Sequence, residues 1–78
     1  MATYNGHKNW NHWNVSLWLN NEEPLYREMI HFVGYAPNKD KAAQMMLRAL
    51  KDQGRTHTRD GAPFSVSAIR AAMVGVTY

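Results

Sequence analysis

The sequence predicts a mainly α fold: a compact single-domain bundle of about four short helices with a polar N-terminal lead-in and a basic loop. Apolar residues recur at helical spacing in four segments, and residues that favour helix ends lie between them. The chain has 78 residues and no Cys, so it has room for one domain, which we expect to span 1–78 without a disulfide or thiolate zinc site.

The first helix is predicted from about Trp10 to Asn20. Residues 1–9 suit an irregular lead-in, and Asn9 or Asn11 is a suitable N-cap. Because this helix is apolar on many sides, we interpret it as central and largely buried, with a core role for its three tryptophans, Trp10, Trp13 and Trp18. A strand over Val15–Leu19 is the alternative, since Trp and Val favour strands.

Helix two is predicted from about Glu23 to Val33. Pro24 fits a first helical turn, and Glu22 and Glu23 favour the positive end of the helix dipole. Gly34 is expected to stop this helix, and Pro37 to prevent its resumption.

Helix three is predicted over Lys39 to Gln53, with Asn38 as N-cap and Gly54 at the C′ position. Its apolar residues fill one arc and its basic residues the opposite arc. Residues 54–64 contain turn-forming residues and predict an exposed basic loop without a packing role.

The last helix is predicted from about Val66 or Ser67 to Val74, capped by Ser65 or Ser67. Its apolar positions, Ile69, Ala72 and Met73, are expected to be buried, and the end of the chain, 75–78, is expected to pack as an extended tail.

Positive charge is concentrated in the second half of the chain. Residues 36–78 contain seven Lys or Arg against three Asp, a balance of +4 within a total of +3. Such a half attracts anionic partners. The candidate partner-binding residues are those of helix three's outer face and the following loop: Lys41, Arg48, Lys51, Arg55, His57 and Arg59. The alternative is a charged helix face that only maintains solubility.

No residue pattern indicates catalysis, a cofactor or a metal. The four histidines, His7, His12, His31 and His57, include no pair three or four residues apart, and Ser16, Ser65 and Ser67 lack an adjacent base in sequence. We therefore expect a non-enzymatic binding protein whose folding and biological effect a chelator leaves unchanged. Without a membrane-length apolar run or a signal-peptide pattern, the expected location is the cytoplasm.

Part of the chain resembles a small domain of phages and other mobile elements. The resemblance rests on Tyr4-Asn5-Gly6 and on the stretch from Trp13 to Tyr26, which is similar to the family's pattern Trp-Asn-x-x-Leu-Trp-Leu-x-Asn-Asp-Glu-Gly-Leu-Tyr. The sequence departs from that pattern at His7, His12, Glu22 and Pro24. Among proteins of this kind, the chain most resembles anti-CRISPR inhibitors of type I-C systems.

The resemblance implies a protein that binds the RNA-guided surveillance complex (Cascade) on its Cas7-type backbone and blocks target DNA. A basic inhibitor would meet an acidic patch of a Cas subunit, because the complex holds DNA in a positively charged channel. Two alternatives remain: a small basic nucleic-acid-binding accessory protein of a phage, in which the same basic residues neutralise phosphates, and a homo-oligomeric structural or packaging protein. A stacking platform of Trp10, Trp13 and Trp18 for single-stranded nucleic acid is less favoured than their core role. Neither the partner nor the oligomeric state follows from the residues alone.

Overall fold

Four helices make up the computed structural model of the protein, which describes residues 9–74. They are α1 (Trp10–Asn21), α2 (Glu23–Tyr35), α3 (Lys39–Asp52) and α4 (Val66–Ala72). The mainly α prediction is confirmed, and the strand alternative is wrong because Val15–Leu19 lies inside α1. None of these four helices is both long and apolar enough to cross a membrane. The predicted lead-in up to residue 8 and the tail 75–78 lie outside the described residues.

Three of the helices begin at a polar N-cap that the sequence predicts. The side-chain oxygens of Asn9, Asn38 and Ser65 accept hydrogen bonds from the backbone N–H three residues later, at 3.0, 2.8 and 3.1 Å respectively. Each cap satisfies an N–H that has no partner within its helix, and such a cap contributes about 1 kcal/mol.

The end of α2 corrects a prediction. Gly34 does not stop the helix, which continues to Tyr35. A helical glycine costs only about 1 kcal/mol relative to alanine, which a packed helix tolerates. Pro37 ends the helix instead, because a proline disfavours helical backbone in the residue before it; Ala36 is accordingly extended, with φ −76° and ψ 153°.

Glycine does end α3, as predicted. Gly54 has a φ of +76°, its N–H donates to the Lys51 carbonyl at 2.9 Å, and the Arg55 N–H donates to the Leu50 carbonyl at 2.8 Å. These two bonds form a Schellman motif, which satisfies carbonyls at the helix end. The motif fixes the direction in which the chain enters the loop 54–64.

The helices form a ring in which each packs on two others. α1 and α3 both pack on α2 and on α4, and within residues 9–74 the backbones of α1 and α3 do not come close to each other. The core at the centre of the ring takes one face of each helix and includes Val15, Leu19, Leu25, Met29, Met46, Leu50, Ile69 and Met73. The predicted burial of Ile69, Ala72 and Met73 is confirmed.

The prediction that α1 is largely buried is wrong. Its buried residues are Asn14, Val15 and Leu19, whereas the three tryptophans are half-buried. Trp10 and Trp18 pack against the edge of the core. A helix in a four-membered ring keeps one face toward solvent, so its broad apolar surface does not imply a central position.

The loop 54–64 also differs from the prediction, because it packs on the core. Thr58, Ala62 and Phe64 are buried. The Thr58 N–H donates to the Ala62 carbonyl at 2.8 Å and the Phe64 N–H to the Thr56 carbonyl at 2.9 Å, with Gly61 at a φ of +95° in the turn. The loop, which connects α3 to α4 in the chain, is therefore a compact turn, and its buried side chains Ala62 and Phe64 belong to the core.

Candidate partner-binding site

Three of the predicted site residues lie on the outer face of α3. Lys41, Arg48 and Lys51 are exposed, and the opposite face of the helix buries Ala42, Ala43, Met46 and Leu50. At a rise of 1.5 Å per residue, the three cations extend over about 15 Å along the helix axis. We call Lys41, Arg48 and Lys51 the α3 stripe.

The charges of the α3 stripe are not used within the described part of the chain. Ion pairs among residues 9–74 join Arg27 to Glu23, Arg55 to Glu22 and Arg70 to Asp40. None of them includes a residue of the α3 stripe. Its three cations are therefore available to a partner.

Arg55 lies in a different environment from the α3 stripe. Its Nη2 lies 3.0 Å from Oε1 of Glu22, and the two side chains are 36% and 22% exposed. Glu22 is the single residue between α1 and α2, where it lies at the positive end of α2, and it also holds the loop through Arg55. Part of the predicted positive charge is thus neutralised locally.

A hydrogen-bonded cluster attaches the loop 54–64 to α1. The Thr58 hydroxyl donates to Oδ1 of Asn14, and Asn14 Nδ2 donates to Oδ2 of Asp60 at 2.8 Å. The indole N–H of Trp18 donates to the same Asp60 oxygen at 3.0 Å. We call these four residues the clasp. Because Asn14 is 1% exposed and uses both ends of its amide, its orientation is fixed by the loop.

The clasp also favours the charged form of Asp60. Hydrogen bonds from Asn14 and Trp18 lower the pKa of the Asp60 carboxyl below its ordinary value, because both donors stabilise the carboxylate. Burial acts weakly in the opposite direction. The loop is therefore held by a charged acceptor at neutral pH.

Arg59 lies between two residues of the clasp. Thr58 precedes it and Asp60 follows it, so its backbone is held on both sides, and its guanidinium carbon lies 5.7 Å from the centre of the Trp18 ring. This is cation–π geometry. The neighbouring His57 is exposed and shares a 2.9 Å hydrogen bond between its Nδ1 and the Thr56 hydroxyl.

These loop residues line a cleft of about 350 Å³ against α1 and the start of α2. Its exposed apolar surface comes from the half-buried ring of Trp18, and the buried side chains of Leu25 and Phe64 also line it. The charged or titratable side chains that line it are Glu22, Arg55, His57 and Arg59. We call this space the loop cleft.

The predicted site therefore divides into two parts. Lys41, Arg48 and Lys51 form the α3 stripe, whereas Arg55, His57 and Arg59 line the loop cleft. Sequence reasoning missed the contribution of Trp18, Asn14 and Asp60. One local feature of the sequence indicates the clasp. Asn14 is a polar residue beside Val15 and one helical turn before Trp18, and a buried polar side chain needs a hydrogen-bond partner such as the clasp provides.

The histidines within residues 9–74 have contacts unrelated to a metal. Nε2 of His12 lies 3.2 Å from the Ser67 hydroxyl, and the ring of His31 stacks on that of Tyr35 with centroids 6.1 Å apart. No group of three or more His, Cys, Asp or Glu in this part of the chain is arranged to hold a metal ion.

Comparison with known proteins gives a family without an assigned activity. No curated protein and no solved structure matches the chain. Residues 1–76 match the profile of a family described as a family of unknown function, DUF7249. Since the match covers nearly the whole chain, the protein belongs to the family DUF7249.

Proposed function

We propose that the protein is a non-enzymatic inhibitor that binds a protein subunit of the type I-C CRISPR surveillance complex, of Cas7 type, in the host cytosol. In this proposal, its basic surface meets an acidic patch of that subunit and blocks binding of target DNA. The observation that supports it best is the α3 stripe, whose three cations are exposed and outside the ion pairs of residues 9–74.

Electrostatics argues against a mimic of DNA. Such complexes hold their nucleic acid in a positively charged channel, so a basic protein is repelled from the channel itself. It is attracted to acidic surface elsewhere on the complex, where it acts by obstruction or by holding one conformation. The resemblance to anti-CRISPR inhibitors supplies the identity of the complex, and the charge distribution supports a protein partner.

Direct binding of nucleic acid is the second candidate. The same cations would then neutralise phosphates, and affinity would fall on a log–log salt plot with a slope near −0.9 for each phosphate contacted on duplex DNA. Against it, Trp18 is half-buried and its indole N–H is bound to Asp60, so less of its ring is available to a base than in an exposed stacking platform.

Affinity purification tests the proposal. Tagged protein is recovered from a host that carries a type I-C system, and co-purifying species are identified. We expect the surveillance complex to be captured, and the double substitution Arg48→Glu with Lys51→Glu to abolish capture while circular dichroism remains unchanged, since exposed charges contribute little to stability.

Arg27→Glu is the control, and it is matched in charge to the single reversal Arg48→Glu, which should itself weaken capture. Arg27 is an exposed cation of α2, 76% exposed in a surface ion pair with Glu23, so its reversal changes net charge without altering the α3 stripe. If Arg27→Glu lost capture as much as reversal on the α3 stripe does, net charge alone would explain the loss. That result would contradict the α3 stripe as the binding surface. Recovery of nucleic acid without Cas subunits would favour the second candidate, and recovery of only the tagged protein's own chain would favour a homo-oligomer.

A further inference from the structure

We infer that the loop cleft receives a glutamate or aspartate side chain, with its neighbouring apolar residue, from an acidic segment of the partner protein. The inference rests on the proposed function in that it takes the partner to be a protein. It identifies a carboxylate as the ligand of the loop cleft and places Trp18 in the binding site. Neither assignment follows from the charge pattern of the sequence.

The charges that line the loop cleft favour one added carboxylate. Among the lining residues, Arg55 and Arg59 contribute +2 and Glu22 contributes −1. The nearby Asp60 carboxylate lies outside the lining and is already bound by Asn14 and Trp18. Arg59 takes no part in an ion pair among residues 9–74, so its guanidinium lacks an anionic partner there. A guanidinium presents several N–H donors in a plane and matches a carboxylate well.

The arrangement of Arg59 reduces the entropic cost of binding. Its backbone is held between Thr58 and Asp60 of the clasp, and its guanidinium already lies near the Trp18 ring. A cation that is positioned before the partner arrives loses less conformational freedom on binding than one on a free chain. The clasp thus positions the residue that we expect to contact the partner.

The remaining lining residues favour a peptide over a nucleic acid strand. The half-buried ring of Trp18 offers apolar surface for an aliphatic side chain beside the carboxylate, and the buried side chains of Leu25 and Phe64 line the cleft with it. Glu22 lies in the lining of the same cleft and would repel the successive phosphates of a strand. A single carboxylate brings only one negative charge into the cleft, and Arg59 lies outside the ion pairs of residues 9–74.

Nuclear magnetic resonance of the ¹⁵N-labelled full chain tests this inference with a defined probe, the capped dipeptide acetyl-Glu-Leu-amide. We expect the indole N–H resonance of Trp18 and the Nε–H resonance of Arg59 to shift saturably. The neutral analogue acetyl-Gln-Leu-amide should bind about tenfold more weakly, because it forms no charge-assisted pair. Arg59→Gln should abolish the shift of Trp18, whereas Arg48→Gln, on the α3 stripe, should retain it.

Equal binding of the two dipeptides, or an equal response of the two variants, would overturn the inference. So would an oligothymidylate that shifts the Trp18 resonance at lower concentration than the acidic dipeptide, since that result would make the cleft a nucleic acid site. These outcomes are independent of capture of the surveillance complex. Capture without dipeptide binding removes only this inference, and dipeptide binding without capture removes only the proposed function.

Discussion

The α3 stripe and the loop cleft both carry cations, but they hold them in different ways. Lys41, Arg48 and Lys51 project from a regular helix whose opposite face is buried, and they have no ion-pair partner among residues 9–74. Arg55 and Arg59 belong to a loop whose position depends on Glu22 and on the clasp.

This difference predicts how each region responds to substitution. Helical geometry alone sets the α3 stripe, so its charges can be changed without consequence for folding. The geometry of the loop cleft depends on a few hydrogen bonds between distant parts of the chain, so substitutions there alter stability and binding together. The following predictions test that contrast, from the largest expected effect on stability to the smallest.

Asn14→Asp is expected to have the largest effect. It places a second carboxylate beside Asp60 at a position that is 1% exposed, where the native Asn14 donates to Asp60 over 2.8 Å. An uncompensated buried charge costs about 3–5 kcal/mol, a large part of the stability of a small domain. Chemical denaturation followed by circular dichroism measures the loss.

Asn11→Asp is the matched control for that experiment. Asn11 is exposed on the same helix, near its N-terminus, where a carboxylate interacts favourably with the helix dipole. Its free energy of unfolding should be equal to or slightly above that of the wild type. Equal stability of Asn14→Asp and the wild type would show that the clasp does not hold the loop.

Asp60 should contribute to the acid sensitivity of the protein. Its pKa is lowered in the folded state by hydrogen bonds from Asn14 and then Trp18. The stabilisation is therefore present above the unfolded-state pKa of about 3.9 and is lost as pH falls through the lower folded-state pKa. We expect the difference in stability between wild type and Asp60→Asn to shrink as pH falls below about 4.

Thermal denaturation at several pH values measures this difference. Asp52→Asn serves as the control, because Asp52 is exposed at the end of α3 and lies outside the clasp. Asp52→Asn retains Asp60, so its stability should fall with decreasing pH as that of the wild type does. A difference between wild type and Asp60→Asn that is constant with pH would contradict the role assigned to the Asp60 carboxylate.

The sequence predicts those features that depend on residues close together in the chain. The caps at Asn9, Asn38 and Ser65 and the Gly54 helix end each require only a few neighbouring residues, and all four are confirmed. The clasp is different, because its bonds join residues 42 to 46 positions apart. Helical spacing contains no information on such contacts.

The same reason explains the errors about burial. Whether an apolar helix face is covered depends on how many helices surround it, and the ring leaves one side of α1 open, so its tryptophans are half-buried. The loop 54–64 has few apolar residues, yet Ala62 and Phe64 are buried because the turn folds back on the core. Composition gives the number of apolar residues and not their neighbours.

The ion pair between Glu22 and Arg55 should have an intermediate effect. Both side chains are partly exposed, at 22% and 36%, so each of Glu22→Gln and Arg55→Gln should lower the free energy of unfolding by about 0–1 kcal/mol. The double variant should lose less than the sum of the two, and the coupling should weaken in high salt. Additive losses that are insensitive to salt would contradict a functioning ion pair.

The smallest effect on stability is expected for Arg48→Gln and Lys51→Gln, and opposing contributions explain why. Removing Arg48 relieves repulsion from Lys51 three residues later, a gain of about 0.2–0.5 kcal/mol, but also removes attraction to Asp52 four residues later. Lys51 lies in the last turn of α3, so its loss forfeits about 0.3–1 kcal/mol of favourable interaction with the helix dipole while it also relieves repulsion from Arg48.

The net change for each variant should lie within about 0.5 kcal/mol of zero in denaturation experiments, below the loss in Asn14→Asp by a wide margin. Partner capture should nevertheless fall in both variants, because an acidic surface loses an opposing charge. A loss of stability in Arg48→Gln as large as that in Asn14→Asp would mean that Arg48 supports the fold. The α3 stripe would then differ from the loop cleft only in position, and its exposed charges would no longer indicate a surface kept for a partner.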